Sequence, residues 1–298
     1  MTGVYTRVTA EIIAALERGV VPWHQPWTTT NAPPMNLVSR RPYRGINAVT
    51  TWAAQYASPW WLSWLQIQHL GGHVRRGEKG SVIVFFKRRH SRGQGLATEE
   101  GFDQQEPHDT YRFPFIVRYT HVWNVEQTEG LDAQVPVVAR PSIAADAQAE
   151  AVLAAWAQRP GMQYGSSRAC YNPSRDLVQM PDRQWFESTS AYYGVLWHEC
   201  VHATGHVSRL GRFTPDTRCA PFGSVDYSFE ELIAELGAAF LCGHLGLASR
   251  IESHAAYIEH WLTVFRANTR VLVQAATQAQ RAVDLILGVT GTSPDAVS

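Results

Sequence analysis

The chain has 298 residues, room for two domains of ordinary size, and its 26 Lys and Arg balance 26 Asp and Glu. No apolar run approaches the ~20 residues needed to cross a bilayer as a helix, and the N-terminus lacks the apolar core of a secretory leader, so a cytoplasmic protein without a membrane partner is expected. Four cysteines in no C-x-x-C pair read as reduced thiols, not as a disulfide framework.

Residues 6–18 carry Val8, Ile12, Ile13 and Leu16 at helical spacing and are stopped by Gly19. Proline-fixed turns follow at 22–27 and 31–36, and a helix is expected from about Trp60 to Leu70, before Gly71-Gly72. Residues 74–86 look like a turn feeding a buried strand, 91–110 like a polar loop, and Phe113–Asn124 like a strand closing a first domain of residues 1–130. Residues 131–141, with Pro136 and Pro141, form the expected linker. The second domain, 142–298, reads as a helix (142–158) and strands (about 162–180), then a helix at 188–204 and an irregular loop (207–227). A helix from Ser228 and a long helical end from 251 to 287 complete it. Asp176–Pro181 is expected to be the sheet edge beside the 188–204 helix. The fold class is α+β, with a mixed α/β first domain.

Overall neutrality conceals an asymmetry. Residues 1–95 hold twelve Lys and Arg against three acidic residues, a net +9, which leaves −9 for the remainder. The same stretch carries eleven aromatics, six of them Trp. Cationic grooves with aromatic platforms hold single-stranded nucleic acid, whereas duplex readers place a helix or ribbon in the major groove. Arg40, Arg41, Tyr43 and Arg44 form one candidate cluster, Arg75, Arg76 and Lys79 a second, and Lys87, Arg88 and Arg89 a third. Single-stranded DNA is the expected partner, with duplex DNA held more weakly. About half of the aromatics, Trp23 and Trp61 first, are assigned to packing.

The most specific chemistry lies at His198-Glu199-Cys200-Val201-His202. Two histidines at i and i+4 project from one helical face and can converge on one metal ion, with Glu199 beside them as a general base toward water. Ser188 and its hydroxyl neighbours suit an N-cap, and Gly205 suits the helix end. A catalytic zinc takes three protein ligands. The third is sought on the helix from Ser228, where Glu231 and Glu235 share a face and Ala234, Ala238 and Ala239 permit close approach. Glu231 is the expected ligand, with Glu230 as its alternative and His206 as a weaker one. Glu235 is expected to orient a ligand histidine. Tyr227 or His206 would donate to an oxyanion. Zn²⁺ is the expected ion, with Mn²⁺ possible.

Several segments together resemble the ArdC family of plasmid-encoded antirestriction proteins, related to the N-terminal part of TraC-type conjugative primases. They are Val21–Trp27, Tyr43–Asn47, Leu70–Gly80, Trp123–Gln127, His198–His206 and Glu230–Gly237. The resemblance implies an N-terminal single-stranded-DNA-binding domain and a C-terminal zincin-like metallopeptidase domain of gluzincin type. His198, His202 and Glu231 then map to metal ligands and Glu199 to the catalytic base. It also implies a role in conjugation, in donor and recipient cytoplasm, shielding incoming plasmid DNA from host restriction. Two alternatives stay open: a DNA-binding shield whose metal is only structural, and a metalloprotease acting on an unknown protein substrate with DNA incidental. A nuclease is disfavoured, because nuclease metals sit among several carboxylates.

Overall fold

The computed structural model describes residues 3–23, 32–88, 115–136, 145–213, 225–247 and 255–289. The first half runs α1 (Val4–Glu17), β1 (Met35–Asn36), α2 (Ile46–Ala53), β2 (Trp60–Ser63), α3 (Trp64–His69), β3 (His73–Val74), β4 (Ser81–Arg88), β5 (Phe115–Asn124) and β6 (Thr128–Glu129). Its main sheet has the order β1-β2-β5-β4, with β1 parallel to β2 and the other pairs antiparallel.

Here the structure corrects the helix expected from Trp60. Trp60 and Leu62 pack with Leu37, Ile67 and Leu131, while Trp61 packs with Tyr43, Ile83 and Val122. Burial that alternates between two clusters needs the two-residue period of a strand. The helix begins only at Trp64, where Ser63 and Gln66 form a reciprocal capping box. Helix α2 was not anticipated at all. The 91–110 loop lies outside the described residues, as do residues 137–141 of the expected linker.

The second half runs α4 (Ala145–Ala155), β7 (Gly161–Tyr164), β8 (Cys170–Asn172), β9 (Leu177–Met180), α5 (Thr189–Thr204), α6 (Val225–His244), α7 (Ala255–Ala267) and α8 (Val271–Leu287). Its sheet has the order β7-β9-β8, so β9 is central and the expectation of an edge at 176–181 is overturned. Val178 and Met180 alternate into the core while both sides of β9 are paired, which leaves β7 and β8 as the edges. The single long C-terminal helix is likewise two. Asn268 Oδ1 accepts from Arg270 N at 3.0 Å, a local turn that competes with helix continuation.

One buried cluster runs through both halves, from Val8 and Ile12 of α1 and Trp52 of α2 to Leu196 and Val201 of α5, Leu236 of α6 and Val283 of α8. Polar ties reinforce it. Thr9 Oγ1 donates to Thr269 O at 2.8 Å, Gly45 N donates to Gln280 Oε1 at 2.9 Å, and Arg44 pairs with Asp284. Among the described residues no helix is long and apolar enough to cross a membrane.

Candidate metal centre

Helix α5 starts where Ser188 Oγ accepts from Ala191 N at 3.1 Å, and it buries Tyr193, Leu196, Trp197, Cys200 and Val201. Each such apolar side chain contributes about 1.5–3 kcal/mol, which fixes the rotation of the helix and with it the direction of its remaining face. Cys200 lies on the buried face, where burial pushes its thiol far up. The helix stops at Gly205, whose φ of −71° is ordinary. Its value is space, since a Cβ there would lie 2.8 Å from Phe213.

Helix α6 crosses α5 at another glycine. A Cβ on Gly237 would lie 2.7 Å from Val201 Cγ2, so this residue sets the close approach that was expected of the nearby alanines. The crossing brings His198, His202 and Glu231 together, with one ligand atom from each within 4.8 Å of the others. His198 Nε2 and His202 Nε2 lie 3.1 Å apart, and the Glu231 carboxylate lies 3.4 Å from the first and 3.6 Å from the second. A tetrahedral ion with bonds of about 2.0 Å has ligands about 3.3 Å apart. The donor set therefore fits a divalent ion in both spacing and chemistry, two imidazoles and a carboxylate with Glu199 buried alongside.

The two neighbouring carboxylates of α6 have different partners. Glu230 Oε1 lies 3.3 Å from His202 Nδ1, while Glu235 Oε2 accepts from Trp23 Nε1 at 2.9 Å. Arg212 clamps Glu230 with bonds of 3.0 and 2.7 Å and also donates to Thr204 Oγ1 and Val201 O, both at 2.8 Å. Sequence reasoning missed this arginine, which follows Gly211 in an irregular stretch. Burial lowers the basicity of His202, but the Glu230 hydrogen bond and the charges of Glu231, Glu230 and Glu199 outweigh it and push the imidazole up to about 9. Burial opposes ionisation of Glu230 as well, yet Arg212 and His202 hold its carboxyl below the usual range. His198 Nδ1 is buried without a hydrogen-bond partner.

His206 stays apart from the trio, with Nδ1 engaged by Ser208 Oγ at 2.8 Å. Tyr227 belongs to α6, but its side chain lies outside the described residues. Of the DNA candidates, Tyr43 is buried, Arg44 is tied to Asp284, and Arg75 pairs with Glu78 at 3.2 Å. Arg40 lies 4.8 Å over the Trp60 ring. Arg40, Arg41, Arg76 and Lys79 are exposed. Lys87 and Arg88 end β4 with side chains outside the described residues, and Arg89 lies outside them entirely.

Comparison with known proteins agrees with this layout. The family model for the N-terminal domain of anti-restriction factor ArdC matches residues 2–123, and that for a zincin-like metallopeptidase matches residues 147–278. The chain is 36% identical over 293 residues to the uncharacterised protein y4eC of Sinorhizobium fredii (strain NBRC 101917 / NGR234), covering 95% of this chain and 91% of that one. It is 32% identical over 296 residues to the DNA primase TraC of Escherichia coli, covering 95% of this chain but only 27% of the primase. The Mn(II)-bound crystal structure of the antirestriction ArdC protein from the R388 plasmid matches with a TM-score of 0.71 at 34% identity, over 96% of this chain and 97% of that one. The metal-free form gives 0.69 at 36% identity, over 95% and 96%. Alike along nearly its whole length to a solved ArdC, with a zincin-like second half, the chain belongs to the ArdC family of antirestriction proteins.

Proposed function

We propose that the protein protects incoming plasmid DNA from host restriction. In this reading residues 1–130 bind single-stranded DNA and residues 142–298 form a metallopeptidase-type domain. The observation that carries the second part is the convergence of His198, His202 and Glu231 at 3.1–3.6 Å. These three would hold the ion. A His, His, Glu set suits Zn²⁺, and the Mn(II) of the R388 ArdC structure makes Mn²⁺ the alternative.

A divalent ion there supplies Lewis acidity, polarising a carbonyl oxygen and acidifying water. Glu199, adjacent in sequence to a ligand and buried, takes the proton of the attacking water and returns it to the leaving amine. Glu230, held by Arg212, fixes the tautomer of His202 so that Nδ1 carries the proton and Nε2 offers its lone pair. The partner in the first half is supported by the +9 charge of residues 1–95 and by the match to part of a DNA primase.

Plasmid transfer into restricting and non-restricting recipients, comparing wild type with Glu199→Ala, tests the reading. Loss of protection only in restricting recipients, with metal content unchanged, is the expected result. Full protection by the variant would confine the metal to holding α5 and α6 together and leave protection to DNA binding.

A further inference from the structure

Trp23 and Trp61, the aromatics first assigned to packing, are buried, and so are Tyr43, Trp52 and Trp60. Open rings occur elsewhere. Tyr119, His121 and Trp123 occupy alternate positions of β5 and so share one face of the sheet. Trp64, at the start of α3, continues the row. Ring centroids are 6.0 Å apart from Tyr119 to His121, 6.3 Å from His121 to Trp123 and 5.8 Å from Trp123 to Trp64. Tyr119 is 41% exposed and Trp64 45%, with His121 and Trp123 half-buried between them.

The neighbouring strand approaches the inner rings closely at one point. In register, Val84 faces Tyr119 and Val82 faces His121, and next along the same face comes Gly80. A Cβ on Gly80 would lie 2.8 Å from the Trp123 ring and 3.0 Å from His121 Cβ, so the indole lies against bare backbone. Cations stand nearby: the Arg7 guanidinium of α1 lies 4.7 Å from the Tyr119 centroid, and Arg76 and Lys79 are exposed in the turn leading to Gly80.

We propose that Trp64, Trp123, His121 and Tyr119 form the base-stacking floor of the single-stranded DNA site, with Arg7 near one end and Arg76 and Lys79 near the other meeting phosphates. This rests on the DNA-binding reading above and deepens it. Stacking on a ring requires a free base face, which duplex DNA hides and single strands offer. The rings are spaced more widely than the ~3.4 Å step of a duplex strand, so the row accepts bases splayed along an extended backbone. A protein partner would also accept exposed aromatics, but the cations beside the row favour a polyanion.

Binding of a fluorescein-labelled 20-nucleotide oligo-dT to the full, metal-loaded chain, followed by anisotropy at several salt concentrations, tests this. Trp64→Leu and Tyr119→Leu keep apolar volume at exposed positions while removing the ring, and thermal melts confirm that both remain folded. Each is expected to weaken binding about tenfold, with Trp64→Phe near wild type, because the lost contact is stacking. The slope of log affinity against log salt stays that of wild type, since no phosphate contact is lost. Trp185→Leu, at an exposed tryptophan of the second half, is expected to change nothing. If the double variant Trp64→Leu/Tyr119→Leu binds as wild type, the row is no DNA platform and a protein-facing patch remains. A shallower salt slope in the ring variants would overturn stacking in favour of phosphate contacts. Absence of wild-type binding at low salt would instead remove the DNA-binding reading itself.

Discussion

At the α5–α6 crossing two imidazole nitrogens stand 3.1 Å apart with the Glu231 carboxylate oxygens 3.4 and 3.6 Å from them, whereas three rings of β5 and Trp64 of α3 lie in a row with two of the four open to solvent. The first arrangement concentrates its energy in a few irreplaceable atoms held by packing. The second spreads it over contacts that are individually modest. Changes at the crossing should therefore be nearly all-or-none, while loss of a ring on the sheet should be graded and leave the salt slope of binding unaltered.

The largest expected effect is at a ligand. His198→Ala should abolish stoichiometric metal on elemental analysis and lower the melting temperature of metal-loaded protein, since binding to the folded state alone stabilises it. Retained metal would sink the assignment of His198.

Next comes the carboxylate behind His202. Glu230→Ala releases the imidazole and removes a carboxylate partner of the buried Arg212 guanidinium. Metal affinity measured against a competing chelator should fall about 10–100-fold, and stability should drop by about 3–5 kcal/mol. Glu230→Gln, which retains an acceptor for His202, should recover part of the affinity. Identical affinity in both variants would show that Glu230 does not position the ligand.

A smaller loss is expected from Gly237→Ala. The added methyl meets Val201 at 2.7 Å, so α6 must move away from α5, at a cost of about 1–3 kcal/mol. Because Glu231 rides on α6, metal affinity should weaken as well. Gly237→Ala together with Val201→Ala should restore both, and failure of that rescue would place the close approach elsewhere.

The smallest effect lies at the loop that follows α5. Arg209 ties this loop to the turn before β9 through Asp176, with its Nη1 to Oδ2 bond at 3.0 Å, and to the end of α5 through Ala203 O at 2.7 Å. Burial raises the Asp176 carboxyl, but bonds from Arg209 and Tyr171 and the Arg209 charge together hold it below its ordinary 3.8. Its stabilisation is thus present above 3.8 and lost as the pH falls through the lower folded value. Asp176→Asn should melt slightly earlier than wild type at pH 7, and the gap should close well below pH 3.8. A gap that persists there would mean the carboxylate charge is not what matters.

The contrast between the regions also governs what could be read from the sequence. His198 and His202 are one helical turn apart, so local geometry alone aligns them, and Glu231 could be found because its helix announces a small-residue face. Glu230 and Glu235 could not be told apart in the same way. Which of them meets a histidine depends on Arg212 and Trp23, which arrive from a loop and from the other half of the chain. Trp60-Trp61-Leu62 carries no distinction between helix and strand, because all three are buried, on two different clusters. The aromatic richness of residues 1–95 did not indicate which rings stay open to solvent. Five of those rings, Trp23, Tyr43, Trp52, Trp60 and Trp61, are buried, and three members of the row, Tyr119, His121 and Trp123, lie beyond that stretch.

Trp23 belongs to the first half, yet its indole donates to Glu235, one turn along α6 from Glu231. The same helix thus carries a candidate ligand of the ion and the acceptor for a side chain of the basic half. Linkage between two such sites is reciprocal. Any preference of bound DNA for one setting of Trp23 returns as an equal change in metal affinity, so titrating the ion with and without oligonucleotide measures a heterotropic coupling energy that neither half possesses alone.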